Sequence, residues 1–180
     1  IKTGSKCSFT VRKQRFFACF CLALAASPTI FNNLLQHTTM EFQNLLINNR
    51  GAVRTITINR PSKLNALNHE TISELQVAFD QAREDGSVRV VVLAGSGEKA
   101  FVAGADIAEL SALSAVDAHR FSRAGQRMMR TIELLGKPVI ARIQGFALGG
   151  GLEIAMSCHL RIGSEKARLG LPEITLGLLP

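Results

Sequence analysis

Gly149, Gly150 and Gly151 stand together between an apolar run of strand character, VIARIQGFAL, and an apolar helical run, LEIAMSC. A strand there runs into three residues without Cβ, and a helix starts on them. The turn also exposes backbone: with no side chains in the way, a substrate can lie directly against it. The first amides of the helix have no partner within the helix, and its dipole adds partial positive charge at the same place. Such a spot suits an oxygen that becomes negative during a reaction. Glu153 falls in the first turn of this helix, and a second carboxylate, Glu173, follows Pro172 in GLPEITLG. The rest of the sequence reads as the frame that brings these parts together.

That frame begins at Met40. LLINN and AVRTITIN read as two short strands joined at Arg50–Gly51, and Pro61 ends the second. PSKLNALN is a polar loop. Asn68 is placed to cap a helix carrying Ile72, Leu75, Phe79 and Ala82 at helical spacing, closed by Asp85–Gly86. VRVVVLAG has the β-branched texture of a strand buried on both faces. GSGEKAFVAGADIAEL reads as a glycine-broken loop leading into a helix. Phe121, Ala124, Met128, Ile132 and Leu135 mark a long amphipathic helix, ended by Gly136. VIARIQG is then a strand, and so is HLRIGS. Alternation of strand and helix implies an α/β fold with one core.

Residues 1–39 differ in texture. They hold five of the basic residues (Lys2, Lys6, Arg12, Lys13, Arg15), no acidic ones, and three of the four cysteines. The remainder therefore carries +2 of the net charge of +7. Without a basic stripe interleaved with aromatics, nucleic-acid binding has little support. The single body cysteine, Cys158, makes neither a disulfide framework nor a metal cluster and fits a reducing compartment. The basic start and the apolar run FFACFCLALAA are readable as upstream sequence translated in frame, as an organellar transit peptide, or as a secretory signal. The run is too short for a membrane span. The division expected is a non-core leader over 1–39 and one domain over 40–180.

Several motifs carry chemistry only weakly when taken singly. GSGEKA has the spelling of a dinucleotide loop, yet another glycine loop follows where a helix should start. Ala103, Gly104 and Ala105 in FVAGAD leave backbone amides accessible, although a tight loop needs small residues for packing too. Glu153 and Glu173 each sit among apolar neighbours. One such glutamate is ordinarily a salt-bridge or helix-dipole residue; two can divide acid and base work, with burial raising both pKa values. His159 has no ligand-spaced partner and reads as structural, and Met128–Met129 reads as helix-core filling.

NRPSKLNALN, AGSGEKAFVAGADIAEL, KPVIARIQGFALGGGLEIAMSC and RLGLPEITLGLLP, in this order and spacing, resemble the crotonase (enoyl-CoA hydratase/isomerase) superfamily. The likeness covers roughly Phe42 to Pro180 and is nearest in look to short-chain enoyl-CoA hydratases and 3-hydroxybutyryl-CoA dehydratases. It implies a spiral of β-β-α units whose C-terminal helical region is missing from this chain. It implies a trans-2-enoyl-CoA substrate hydrated to a 3-hydroxyacyl-CoA, a setting in fatty acid β-oxidation, no cofactor beyond the coenzyme A of the substrate, and no membrane or nucleic-acid partner. By motif, the amides of Ala105 and Gly150 form an oxyanion hole, and Glu153 and Glu173 are the acid–base pair. Lys63, Leu64, Ala103, Asp106, Ile107 and Gly149 fall in the segments that meet coenzyme A or substrate. The full-length form is expected as a trimer or dimer of trimers, in the bacterial cytoplasm, or in mitochondria if the leader is a transit peptide. The alternatives are a Δ3-Δ2-enoyl-CoA isomerase, another reaction of the same superfamily, and a non-catalytic CoA-binding or assembly fragment. His159 stands where relatives commonly carry Asp.

Overall fold

The computed structural model describes residues 41–177; the leader over 1–39 lies outside them. Strands β1 (Leu45–Arg50) and β2 (Val53–Ile58) form an antiparallel hairpin turned at Gly51. Strands β3 (Val90–Gly95), β5 (Val139–Ile143) and β7 (Leu160–Gly163) then add in parallel, giving one sheet of order β1-β2-β3-β5-β7. A second, wholly parallel sheet contains β4 (Ala100–Val102), β6 (Phe146–Leu148) and β8 (Arg168–Gly170). The helices are α1 (His69–Glu84), the single turn α2 (Ile107–Leu110), α3 (Ala115–Glu133) and α4 (Gly150–Ser157), and a 3-10 turn spans Pro172–Leu176.

Three consecutive passes thus place one strand in the large sheet, the next in the small sheet, and then a helix or 3-10 turn. This is the β-β-α spiral that the resemblance implies. The sequence reading missed half of it. VIARIQG, read as one strand, is cut at Gly145, whose φ of 65° is a conformation that residues with a Cβ rarely adopt. A Cβ there would also overlap the Lys99 carbonyl, and the next amide, of Phe146, donates to that same carbonyl at 3.0 Å. The chain therefore leaves the large sheet at Gly145 and enters the small one. The stretch GSGEKAFVAGADIAEL, read as a glycine-broken loop leading into a helix, likewise contains β4.

Where local signals are strong they hold. The Asn68 Oδ1 accepts the Thr71 amide at 2.9 Å and caps α1, a contact of about 1 kcal/mol. Ile72, Leu75, Phe79 and Ala82 are buried, facing the hairpin and α3. At the other end of α1, the Lys137 ammonium donates to the carbonyls of Ala82 and Asp85 at 2.6 and 2.7 Å. The buried Glu74 carboxylate accepts the amides of Gln43 and Asn44, fastening the segment before β1 to α1. His159 accepts the Val139 amide on Nδ1 at 3.0 Å, one step beyond the β5–β7 ladder, as its structural reading requires.

Candidate active site

The small sheet positions the site. Its three strands are parallel, so their carboxyl ends lie on one side. β4 runs into Ala103–Ala105, β6 into the three glycines and α4, and β8 into Pro172 and Glu173. These ends line one cavity of about 410 Å³. Ala103, Gly104, Ala105, Ile107, Gly149, Gly150, Glu153 and Glu173 all belong to its wall. Residues from three distant stretches of sequence are thereby brought together. Lys63, Leu64 and Asp106 are not part of the wall.

The donor loop after β4 is held by its neighbours. Ala103 donates to Leu64 and Asp106 donates to Leu67, while Gly104 accepts from Leu67. Among the described residues the Ala105 amide has no acceptor, nor has the Gly150 amide. Arg60 ties the loop from outside, with a guanidinium bond to Asp106 at 3.0 Å and another to the Ala66 carbonyl. That hydrogen bond from Arg60, reinforced by the charges of Arg60 and Lys63 and opposed by burial, holds the Asp106 carboxyl below the usual carboxylate range. Asn65, in the left-handed region at φ 58°, accepts the Arg60 amide and donates to the carbonyls of Ser96 and Ala100. Neither Asn65 nor Arg60 was read from sequence as part of this support.

The three glycines are not one open platform. Gly149 has φ 50° and ψ −126°, and a Cβ on it would strike the Glu173 carboxylate. Gly151 is buried, and a Cβ on it would overlap the Val102 carbonyl. Only at Gly150 is there ordinary room: a Cβ would lie 3.6 Å from both Glu153 Oε2 and Leu67 Cδ1, and φ is not positive. Gly150 is therefore not required for its dihedral angles. The conformational demand falls on Gly149, which also gives the second carboxylate its seat.

Both glutamates are half-buried. The Glu173 Oε2 is fully enclosed and has no hydrogen-bond partner among the described residues, an uncommon condition for a carboxylate oxygen. Burial first, and then the charge of Glu173, push Glu153 above the ordinary glutamate value. Folding therefore favours the protonated form of Glu153. The ionised carboxylate costs stability, a cost absent below the ordinary glutamate pKa and growing as pH rises through the raised one. Glu153→Gln is accordingly expected to raise Tm at about pH 7 and to raise it less at about pH 4. Thermal unfolding of the two proteins at both pH values checks this; a lower Tm at about pH 7 would mean that the carboxylate makes a stabilising contact.

A further part of the wall, largely apolar with Ser122 and Gln126 its polar members, comes from α3, through Phe121, Met128 and Met129. The sequence reading took these for core positions alone. Met128 is buried in the core as well, so the helix does both. The signal available was Gly125, a glycine in mid-helix beside these residues. Among the described residues there is no cluster of three metal-ligating side chains, and no helix long and apolar enough to cross a membrane.

Comparison with known proteins agrees with this architecture. The family described as enoyl-CoA hydratase/isomerase matches residues 48–180. Over 141 residues the chain is 48% identical to a short-chain-enoyl-CoA hydratase of Clostridium acetobutylicum, covering 78% of this chain and 54% of that protein. It is 44% identical to a crotonyl-CoA hydratase of Syntrophomonas wolfei subsp. wolfei over the same shares. Among solved structures, an enoyl-CoA hydratase from Bacillus anthracis aligns with a TM-score of 0.75 at 40% identity, covering 77% of this chain and 54% of that one. The chain thus spans about half the length of these relatives. On the extent of these matches, and on a fold that agrees with them, the chain belongs to the enoyl-CoA hydratase/isomerase family.

Proposed function

We propose that this chain carries the site of an enoyl-CoA hydratase, adding water to a trans-2-enoyl-CoA to give a 3-hydroxyacyl-CoA. The observation that supports this most is that two carboxylates and two uncommitted amides line one largely apolar cavity. In this reading the thioester oxygen accepts from the amides of Ala105 and Gly150. Glu153 takes a proton from a water molecule as its oxygen bonds to the β-carbon. The π electrons move toward the thioester oxygen, where the two donors hold the developing charge. The α-carbon then takes a proton from Glu173, and exchange with solvent restores the pair. The reaction begins with one proton between the two carboxylates, one acting as base and the other as acid. Lys63, outside the wall itself, offers its charge to the phosphates of coenzyme A, which enters only as part of the substrate.

The presence of both glutamates in one wall favours hydration over isomerisation, which needs a single base to move a proton. Added to crotonyl-CoA, the chain is expected to bleach the enoyl-thioester absorbance and to form 3-hydroxybutyryl-CoA. Binding of the thioester with no loss of absorbance would support a CoA-binding module instead. Conversion of a 3-enoyl-CoA alone would support an isomerase.

A further inference from the structure

Gly125 lies in the middle of the 19-residue helix α3, where glycine weakens a helix relative to alanine. Conformation does not call for it, because its φ is not positive. Packing does not call for it either: among the described residues, nothing lies within 4 Å of the place a Cβ would occupy. Yet Gly125 lines the cavity, with Phe121 and Ser122 one turn before it and Met128 and Met129 one turn after. These residues form one helical stripe, and the glycine is a notch in it.

The notch lies in the part of the wall that α3 contributes, which is apolar but for Ser122 and Gln126. With the thioester oxygen on the amides and the α- and β-carbons between Glu153 and Glu173, the remainder of an acyl chain has this largely apolar wall to run along. We propose, resting on the hydratase reading, that Gly125 sets the acyl-chain length this site accepts, its missing side chain leaving room for carbons beyond the fourth. The flanking methionines are unbranched and adjust to chains of different length. A side chain at 125 would fill the space that the distal methylenes use, and a pocket that loses room for one methylene discriminates by about 10- to 200-fold.

The test is equilibrium binding of two unreactive saturated thioesters, butyryl-CoA and octanoyl-CoA, to the chain and to Gly125→Leu and Gly125→Ala, by calorimetry. The ratio of octanoyl-CoA to butyryl-CoA affinity is expected to fall about tenfold or more in Gly125→Leu and by a smaller factor in Gly125→Ala. The alanine variant should also show a raised Tm, as filling open space in a helix predicts. If the leucine variant loses its helical circular dichroism, the alanine variant carries the test alone. An unchanged ratio in a folded variant overturns the proposal, as does equal loss of both thioesters, or failure of the unsubstituted chain to bind octanoyl-CoA while it binds butyryl-CoA. Failure of the unsubstituted chain to bind either thioester overturns the hydratase reading and this inference with it.

Discussion

Glu173→Gln is expected to bind CoA thioesters nearly as the parent does and to hydrate crotonyl-CoA slower by a factor on the order of 10² or more. Glutamine keeps the size of the side chain and one acceptor oxygen, so its seat against Gly149 is preserved. What it loses, under the proposed function, is the proton for the α-carbon. Glu153→Gln is expected to fail similarly, through loss of the base. The two variants separate the readings of the site. An isomerase working with Glu173 alone would retain its activity on a 3-enoyl-CoA in Glu153→Gln. Steady-state kinetics with both substrates checks this, and parent-like hydration by Glu173→Gln removes that residue from the chemistry.

Gly150→Ala is expected to fold and to lose about 10²- to 10³-fold in turnover, the worth of about one oxyanion donor, 3–4 kcal/mol. The geometry makes this substitution cleaner than its neighbours. Alanine at 149 would require an unfavourable conformation and displace Glu173, and alanine at 151 would collide with the backbone of Val102. At 150 the added methyl meets protein atoms at 3.6 Å, so the fold survives. The methyl instead stands beside Glu153 Oε2, in the space that the proposed function gives to the thioester carbonyl. Free coenzyme A lacks that carbonyl and should bind as before. Circular dichroism establishes the fold, and the ratio of turnover to coenzyme A affinity reads the effect. Parent-like turnover by the folded variant would assign all three glycines to packing.

Much of the large sheet was legible in the sequence because its signals are local. The β-branched run of β3 marks a strand buried on both faces, the Asn68 side chain caps α1 three residues ahead, and Gly136 at φ 75° stops the chain just past α3. The small sheet was not legible. β4, β6 and β8 have three residues each, too few to show a period, and they exist only because each finds a parallel neighbour far along the chain. The convergence of Ala105, Gly150 and Glu173 depends on that sheet, so no window of sequence contains it; it was reachable only through resemblance. The differing demands on Gly149, Gly150 and Gly151 were hidden for the same reason. They are set by Glu173 and Val102, which are distant in sequence. Asn65 looks like an ordinary loop asparagine until the carbonyls of Ser96 and Ala100 are placed around it.

At the centre of this account is the claim that the Ala105 and Gly150 amides polarise a thioester carbonyl. Infrared difference spectroscopy of bound butyryl-CoA, labelled at the carbonyl carbon, reads that polarisation without any turnover. On binding, the stretch is expected to move below its frequency in water, because two fixed donors in a largely apolar cavity polarise the bond more than mobile solvent does. In Gly150→Ala the stretch should return most of the way to the solution value. A carbonyl that stays at its solution frequency in the bound complex of the parent chain would contradict the account.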